Sequence, residues 1–406
     1  MAPKISKPVA KKLAVTKNQP GPLKKLRYGS DFSGLGTQSL ILHALADTYK
    51  LPLRLDHVFS CDKLPSSRML IKTQCAPAQF DSDICSRADP GAVDFYQFTA
   101  PCQALSTLGH APKGASDART LVVLHSLVYV EKNQPAAVVS ENVETIATHK
   151  KFKKLFDFIQ ARLLHAGYHV EWQIINTNMF GIPQHRRRCY LVGVRKDLMR
   201  TRDVQSLWPS PIVGGLSMKQ IAPALPESIW KPHPPSIASP AYGNVMKSYK
   251  LLGKGVNPFL VPVVVDAGSS ERFSSYKVGE APTLTRSRCS QRDGYWCSTK
   301  GSYLNVDELA ELQGFTPLLG TATQWKEAKI STTQYGGMIG NAQSANFLLL
   351  LYPRVLYAAQ LITAHDLSAV EDRVRARICL LTLPNQVGRA VASSSSATPV
   401  QGVVSK

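Results

Sequence analysis

The sequence predicts an α/β fold: a doubly wound, mostly parallel sheet followed by a smaller, irregular second domain. Three observations carry that expectation. Between residues 26 and 194, short apolar runs alternate with longer helical stretches. Those runs are nearly continuous in apolar residues, as in strands covered on both faces. Near residue 200 the composition changes: ten of the 27 prolines fall within 207–262, and helical periodicity fades.

Taken in order, a strand over 26–30 runs into the turn Gly34-Leu35-Gly36, and an apolar helix over 37–50 follows. Next come a strand over 55–60, a helix over 65–74, a strand over 92–98 and a helix over 120–132. The run Ala-Ala-Val-Val-Ser at 136–140 predicts a buried strand, followed by a helix over 151–165. The last two strands, 168–176 and 188–194, have only 177–187 between them. That is too short for a crossover helix, so the sheet is expected to end in an antiparallel hairpin. Beyond the Pro-rich region, helical patterns return at 306–313 and 342–362. The expected organisation is a basic disordered tail (1–25), a main domain (26–199), an irregular domain (200–330), a segment returning to the main domain (331–385) and a low-complexity tail (386–406).

The chain of 406 residues carries 48 Lys plus Arg against 28 Asp plus Glu, a formal charge of +20. Eight of these charges lie within residues 1–30, which hold no acid, and 196–300 holds 14 basic and 7 acidic residues, a local net of +7. Such an excess favours a polyanionic partner without identifying it. Lys11-Lys12 and Lys24-Lys25 with Arg27 resemble a bipartite nuclear-import signal, and a nonspecific DNA-binding arm fits equally well. The reading is of a nuclear or otherwise cytoplasmic protein. No apolar stretch is long enough for a membrane span. The eight cysteines form no Cys-x-x-Cys pair, which argues against zinc and against a disulfide framework. Most are expected to be buried small hydrophobes.

Several short segments carry chemistry. Gly34-Leu35-Gly36 sits where doubly wound folds cradle a nucleotide, although turn glycines are often purely structural. Asp62 closes the second strand, where an acid can hold ribose hydroxyls or simply begin a helix. Asp83 could accept from an adenine amino group or be a solvated loop acid. Pro101-Cys102-Gln103 follows an apolar strand and places a thiol at the carboxyl edge of the sheet, as a nucleophile or an inert buried Cys. Glu141-Asn142-Val143 ends the next strand at the same edge, where a carboxyl group suits acid–base work. Arg188 abuts the apolar run Cys189-Tyr190-Leu191-Val192. An arginine there needs an anionic partner, and Glu141 is the candidate.

With these residues in hand, the chain resembles the cytosine-5 DNA methyltransferases. Phe32-Ser33-Gly34-Leu35-Gly36 looks like the family's Phe-x-Gly-x-Gly, and Asp62 and Asp83 match its next two cofactor acids. Pro101-Cys102-Gln103 with Ser106 resembles Pro-Cys-Gln-x-x-Ser. Glu141-Asn142-Val143 matches Glu-Asn-Val, and Gln184, Arg186 and Arg188 match Gln-x-Arg-x-Arg. Glu308 to Phe315 is similar to Glu-x-x-x-Leu-Gln-Gly-Phe, and Gly340-Asn341-Ala342 to the final Gly-Asn-Ala/Ser. The chain also departs from the pattern. Ser30 stands where an Asp is usual, with Asp31 shifted by one. Thr99-Ala100 replace a preceding Gly, Ala104-Leu105 replace Pro-Phe, and Gln343-Ser344 replace Val-Pro.

The resemblance implies a Rossmann-like S-adenosylmethionine-dependent enzyme that methylates carbon 5 of cytosine in double-stranded DNA, on a base flipped from the duplex. It implies a Cys102 thiolate adding at carbon 6, Glu141 acting on ring nitrogen 3 and the exocyclic amine, and Arg188 with Arg186 orienting them. Phe32, Gly34, Gly36, Asp62, Asp83, Leu121 and Asn341 would contact S-adenosylmethionine. Gln103, Ser106, Arg286 and Arg288 would meet DNA, with 200–330 as the target-recognition domain. The expected protein is a compact, stand-alone monomer with no metal and no membrane partner. Two rivals keep part of this picture: a tRNA cytosine-5 methyltransferase, whose Cys-Phe-Thr tripeptide is not found here, and a noncatalytic DNA-binding relative.

Overall fold

The computed structural model describes residues 23–101, 122–199, 207–315, 319 and 324–381. Its centre is a seven-stranded sheet built from β1 (Lys24–Asp31), β2 (Leu53–Cys61), β3 (Gln79–Asp81), β4 (Phe95–Phe98), β5 (Ala137–Val143), β6 (Tyr168–Asn176) and β7 (Arg187–Arg195). The spatial order is β3-β2-β1-β4-β5-β7-β6. The first five strands are parallel, β7 is antiparallel to both β5 and β6, and the expected closing hairpin is β6–β7. The three-residue β3 escaped the sequence reading because it is too short to show a period.

Near-continuous apolar strands follow from burial on both faces. Along β4, Phe95 packs in one core and Tyr96 in the other; along β5, Val139 and Val138 divide the same way. One face is covered by α1 (Thr37–His43) together with later C-terminal helices. The other is covered by α3 (Val123–Asn133) and α4 (Lys150–His165), with α2 (Pro65–Cys75) bridging β2 and β3. The helix expected over 37–50 continues past α1 in a wider turn, Ala44–Thr48, closed by Tyr49 N–H on Ala44 O at 2.9 Å.

The N-terminal boundary moves. Lys24 and Lys25 belong to β1, paired in register with Leu53 and Arg54, and are not part of a disordered tail. Lys25 Nζ lies 2.7 Å from Asp56, Arg27 leans on the same carboxylate, and Lys24 Nζ donates to Gln360 O. The second basic cluster is thus built into the interior strand β1, while Lys11 and Lys12 lie outside the described residues.

The second domain is more regular than its proline content suggests. It holds α5 (Pro240–Lys250) and an antiparallel sheet of β8 (Val263–Asp266), β9 (Tyr276–Val278), β10 (Tyr295–Cys297) and β11 (Ser302–Tyr303), in the order β11-β10-β8-β9. These strands are two to four residues long, below the length at which alternation can be read. Trp296, Val263 and Val265 fill a small core of their own under α5. The chain then returns through α6 (Val306–Glu311), α7 (Thr332–Asn341), α8 (Ala345–Ala358) and α9 (Ala364–Leu380). The single helical pattern expected over 342–362 starts at Ala345, because Ala342 and Ser344 are extended. Gly336 and Gly340 let α7 meet the 285–290 segment backbone to backbone: a Cβ would stand 1.9 Å from Cys289 O and 2.4 Å from the Thr285 carbonyl carbon. Of the described cysteines, Cys61, Cys189, Cys289 and Cys297 are buried, while Cys85 and Cys379 are exposed. Among the described residues, no helix is long and apolar enough to cross a membrane, and no group of three His, Cys, Asp or Glu side chains could hold a metal ion.

Candidate active site

A cavity of about 700 Å³ opens at the carboxyl edge of the parallel strands. Open α/β sheets bind their ligands there, because successive strand ends deliver loops to one crevice. At the β1 end, Phe32 and Gly34 both take positive φ, +57° and +53°, and this tight turn brings Phe32, Gly34 and Leu35 to the cavity wall. The Gly34 N–H donates to Asp62 Oδ2 at 2.7 Å, and the Leu64 N–H donates to Oδ1 at 2.8 Å. Asp62 is thereby fixed against the cavity, and burial pushes its carboxyl above the usual range.

Two of the expected cofactor residues are not among those that line the cavity. Gly36 begins α1 with φ +81° and does not line the cavity; a Cβ there would sit 3.0 Å from Ile71 Cγ1, so its role is the packing of α1 on α2. Asp83 is held by its immediate neighbours. Its Oδ1 accepts from the Cys85 N–H at 3.0 Å, and its Oδ2 lies 3.2 Å from Lys63 Nζ; both partners hold the carboxyl low. The cavity wall there is formed by the next residues, Ile84 and Cys85. Asn341, at the end of α7, lines the cavity as expected, whereas Leu121 lies outside the described residues.

β4 leads through Thr99 and Ala100 to Pro101, which lines the cavity. Thr99 Oγ1 donates to Phe32 O at 2.9 Å, and Asn142 Nδ2 donates to Ala100 O at 3.3 Å, so the segment is tied to both neighbouring strand ends. Cys102, Gln103 and Ser106 follow directly in the chain but lie outside the described residues.

β5 carries Glu141 to the same wall, and its carboxylate is nearly fully buried. Arg188 Nε stands 3.2 Å from Glu141 Oε1. The contact is an ion pair without hydrogen-bond alignment, and among the described residues that oxygen accepts no hydrogen bond. Burial drives the Glu141 carboxyl up, and Arg188, then Arg186, pull it back. A carboxyl held above its ordinary range can deliver a proton as well as accept one.

Arg186 and Arg188 separate in function. Arg186 is buried, and its guanidinium donates to Leu284 O (2.8 Å), Gly340 O (3.3 Å) and Ala342 O (2.8 Å). It clamps three segments together, and its charge lowers the Glu141 carboxyl. Gln184 and Gln313 act alike, donating to Leu312 O and Ile339 O.

The two arginines expected on DNA also diverge. Arg288 pairs with Asp266 at 3.1 Å and bonds Ser269, which holds it within the small domain. Arg286 is exposed and lines the cavity, close enough to lower the Asp62 carboxyl. Sequence reasoning missed Gln97 and Met338 as cavity residues and registered Gln343 only as a departure from the family pattern. A polar residue inside an otherwise apolar strand was the available signal for Gln97.

The profile of the C-5 cytosine-specific DNA methylase family matches residues 30–348. An orphan methyltransferase of Bacillus phage SPR is 27% identical over 186 residues, 44% of this chain and 40% of its own length. A type II methyltransferase of Neisseria lactamica is 34% identical over 127 residues, 31% of this chain and 38% of its own. The aligned regions thus span less than half the length of these relatives. Among solved structures, an Entamoeba histolytica methyltransferase superposes with a TM-score of 0.58 at 14% identity, over 82% of this chain and 98% of that one. The S. pombe Dnmt2 methyltransferase gives 0.51 at 16% identity over the same shares. At these identities the likeness is one of fold.

Proposed function

The chain belongs to the C-5 cytosine-specific DNA methylase family, and from that premise we propose that it methylates carbon 5 of cytosine in DNA. The observation that carries this reading is the placement of Glu141, paired with Arg188, in the same cavity as the Phe32–Gly34 turn and Asp62. The cavity fits the family's methyl donor, S-adenosylmethionine. Asp62 offers a half-buried acceptor for hydroxyls, Phe32 and Ile84 offer apolar walls, and the volume suits a ligand of that size. When bound, the donor supplies an electrophilic methyl group.

Cytosine carbon 5 is a poor nucleophile until carbon 6 is attacked. The Cys102 thiolate forms the S–C6 bond while Glu141 gives a proton to ring nitrogen 3, so the ring gains electron density at carbon 5. Carbon 5 would take the methyl group, the electron pair of the broken methyl–sulfur bond staying with the donor's sulfur, and would then give its own proton to a water molecule. The S–C6 bond breaks, the nitrogen 3 proton returns, and the thiolate is restored. Arg188 holds the Glu141 carboxylate toward the ring throughout. Such a cavity is closed to a base inside a duplex, so the cytosine enters flipped out. The 200–330 domain then serves as the DNA-facing part, with Arg286 at the cavity and its exposed lysines on phosphates. Nuclear import forms no part of this proposal, because Lys24, Lys25 and Arg27 are engaged in strand β1.

The test uses labelled S-adenosylmethionine with duplex DNA, tRNA and DNA containing 5-fluorocytosine. Label at carbon 5 of DNA cytosine, with a covalent complex on the fluorinated DNA, is expected. Cys102→Ser abolishes the complex. Label in tRNA alone overturns the substrate, and trapping that survives Cys102→Ser overturns the nucleophile.

A further inference from the structure

Gln343 is 3% exposed and lines the cavity, yet among the described residues its Nε2 has no acceptor. A buried amide donor left open is costly unless something else accepts from it. Its carbonyl end is accounted for: Gln97 Nε2 donates to Gln343 Oε1 at 2.6 Å. Gln97 Oε1 in turn accepts from the Tyr352 hydroxyl of α8. Gln97 and Gln343 both face the cavity, although 246 residues separate them in the chain.

The direction of this relay is set at its far end. Tyr352 is completely buried, and burial pushes its phenol well up, so it keeps its single proton. That proton needs an acceptor, and Gln97 Oε1 is the one it reaches. The Gln97 amide must therefore present its NH₂ to Gln343, and Gln343 must present its carbonyl in return. What remains, facing the ligand, is a donor.

The cavity also shows which ligand group would take it. Asp62 ends β2 and Glu141 ends β5, while Gln97 lies on β4 between them with Gln343 beside it. A ligand that spans the cavity from the β2 end to the β5 end crosses β4, where Gln97 holds Gln343. In S-adenosylmethionine, ribose hydroxyls and the ammonium group are donors suited to Asp62, whereas the carboxylate of the amino-acid end only accepts. Arg186, Arg188 and Arg286 line the same cavity and favour a negative group. We propose that Gln343 Nε2 binds the carboxylate of S-adenosylmethionine, with Gln97 and Tyr352 as positioning residues that fix the polarity of its amide. This rests on the cofactor reading above.

The test compares calorimetric binding of S-adenosylmethionine with that of decarboxylated S-adenosylmethionine, which keeps the sulfonium, adenosine and amine. Gln343→Met is expected to weaken S-adenosylmethionine about tenfold and leave the decarboxylated compound within about twofold. Tyr352→Phe frees the amide to turn and should lower affinity for S-adenosylmethionine severalfold, again without touching the decarboxylated compound. Gln343→Glu exchanges donor for acceptor and should reverse the preference between the two ligands. Equal losses for both ligands in all three variants, or no loss in any, overturn the assignment to Gln343. Binding of neither ligand by the parent protein overturns the cofactor reading, and this inference with it.

Discussion

Arg188 Nε lies 3.2 Å from Glu141 Oε1 across the β5–β7 pair, and both side chains face the cavity. In the proposed chemistry the protonated Glu141 carboxyl is the active form, so the rate of methyl transfer falls as pH rises through its pKa. Arg188 lowers that pKa against the larger effect of burial, so Arg188→Gln should raise it and move the fall in rate to higher pH. Removing the acid itself, in Glu141→Gln, should cost about 10²–10⁴-fold in rate. Single-turnover methyl transfer across the neutral pH range measures both, with cofactor affinity as the control for intact binding.

Arg186 should behave as a structural residue despite belonging to the same motif. Its guanidinium satisfies three backbone carbonyls from the 284, 340 and 342 positions. Buried carbonyls left without a donor cost about 1–3 kcal/mol each, so Arg186→Leu should lose about 3 kcal/mol or more in urea unfolding. Arg188→Gln removes one partner from a Glu141 carboxyl that can take up a proton instead, so it should lose less. Equal losses would mean that the two arginines share one role.

The alternation of strands and helices was legible because burial on both faces writes itself into continuous apolar runs, as at Ala136–Val139. Glu141 and its pairing with Arg188 were legible for a related reason, since a charge set against an apolar strand demands a partner. The four-stranded sheet of the second domain was not, because strands as short as Ser302–Tyr303 carry no period. Nor was the division of labour within Gln184, Arg186 and Arg188. Which of them reaches the cavity and which clamps carbonyls depends on where residues 284 and 340 arrive, a tertiary fact absent from local sequence. Gly36 shows the same limit: its spacing suits a phosphate cradle, while its surroundings make it a packing contact against Ile71. The unpartnered amide of Gln343 depends on Gln97, far away in the chain, and could only be noticed as an unexpected residue.

Asp31 offers a further test, because its one-residue shift from the family position places it on the opposite face from the cavity. There it meets Arg87, Tyr96 and Ser126 in a buried cluster, with the Arg87 guanidinium 4.8 Å from the centre of the Phe59 ring. Breaking a buried pair by removing one partner costs about 3–5 kcal/mol, while neutralising both partners costs less. Arg87→Met should therefore be strongly destabilising, and the double variant Asp31→Asn with Arg87→Met should recover part of the loss. Arg87 also ends the loop that brings Ile84 and Cys85 to the cavity, so cofactor affinity should fall in the single variant. A strictly additive double variant in chemical denaturation would rule out the coupling.

Asp266 gives the clearest dependence of stability on pH. Burial raises its carboxyl to about 6 from an ordinary value of 3.8, even though Arg288 beside it pulls downward. The folded state then holds a proton that the unfolded chain has already released between pH 4 and pH 6, so stability falls as pH rises through that window. Two pH units correspond to about 3 kcal/mol at most. Glu311, raised to about 7 by burial and by Glu308 and Asp307, adds a slope of the same sign that extends to higher pH. Asp266→Asn cannot titrate and should flatten the curve between pH 4 and 6 while leaving the Glu311 contribution in place. Arg288→Leu should push the Asp266 pKa further up and carry its part of the decline toward neutral pH. Urea midpoints at half-unit steps from pH 4 to 7.5 resolve the two contributions, and an unchanged slope in Asp266→Asn would mean that this carboxyl titrates normally.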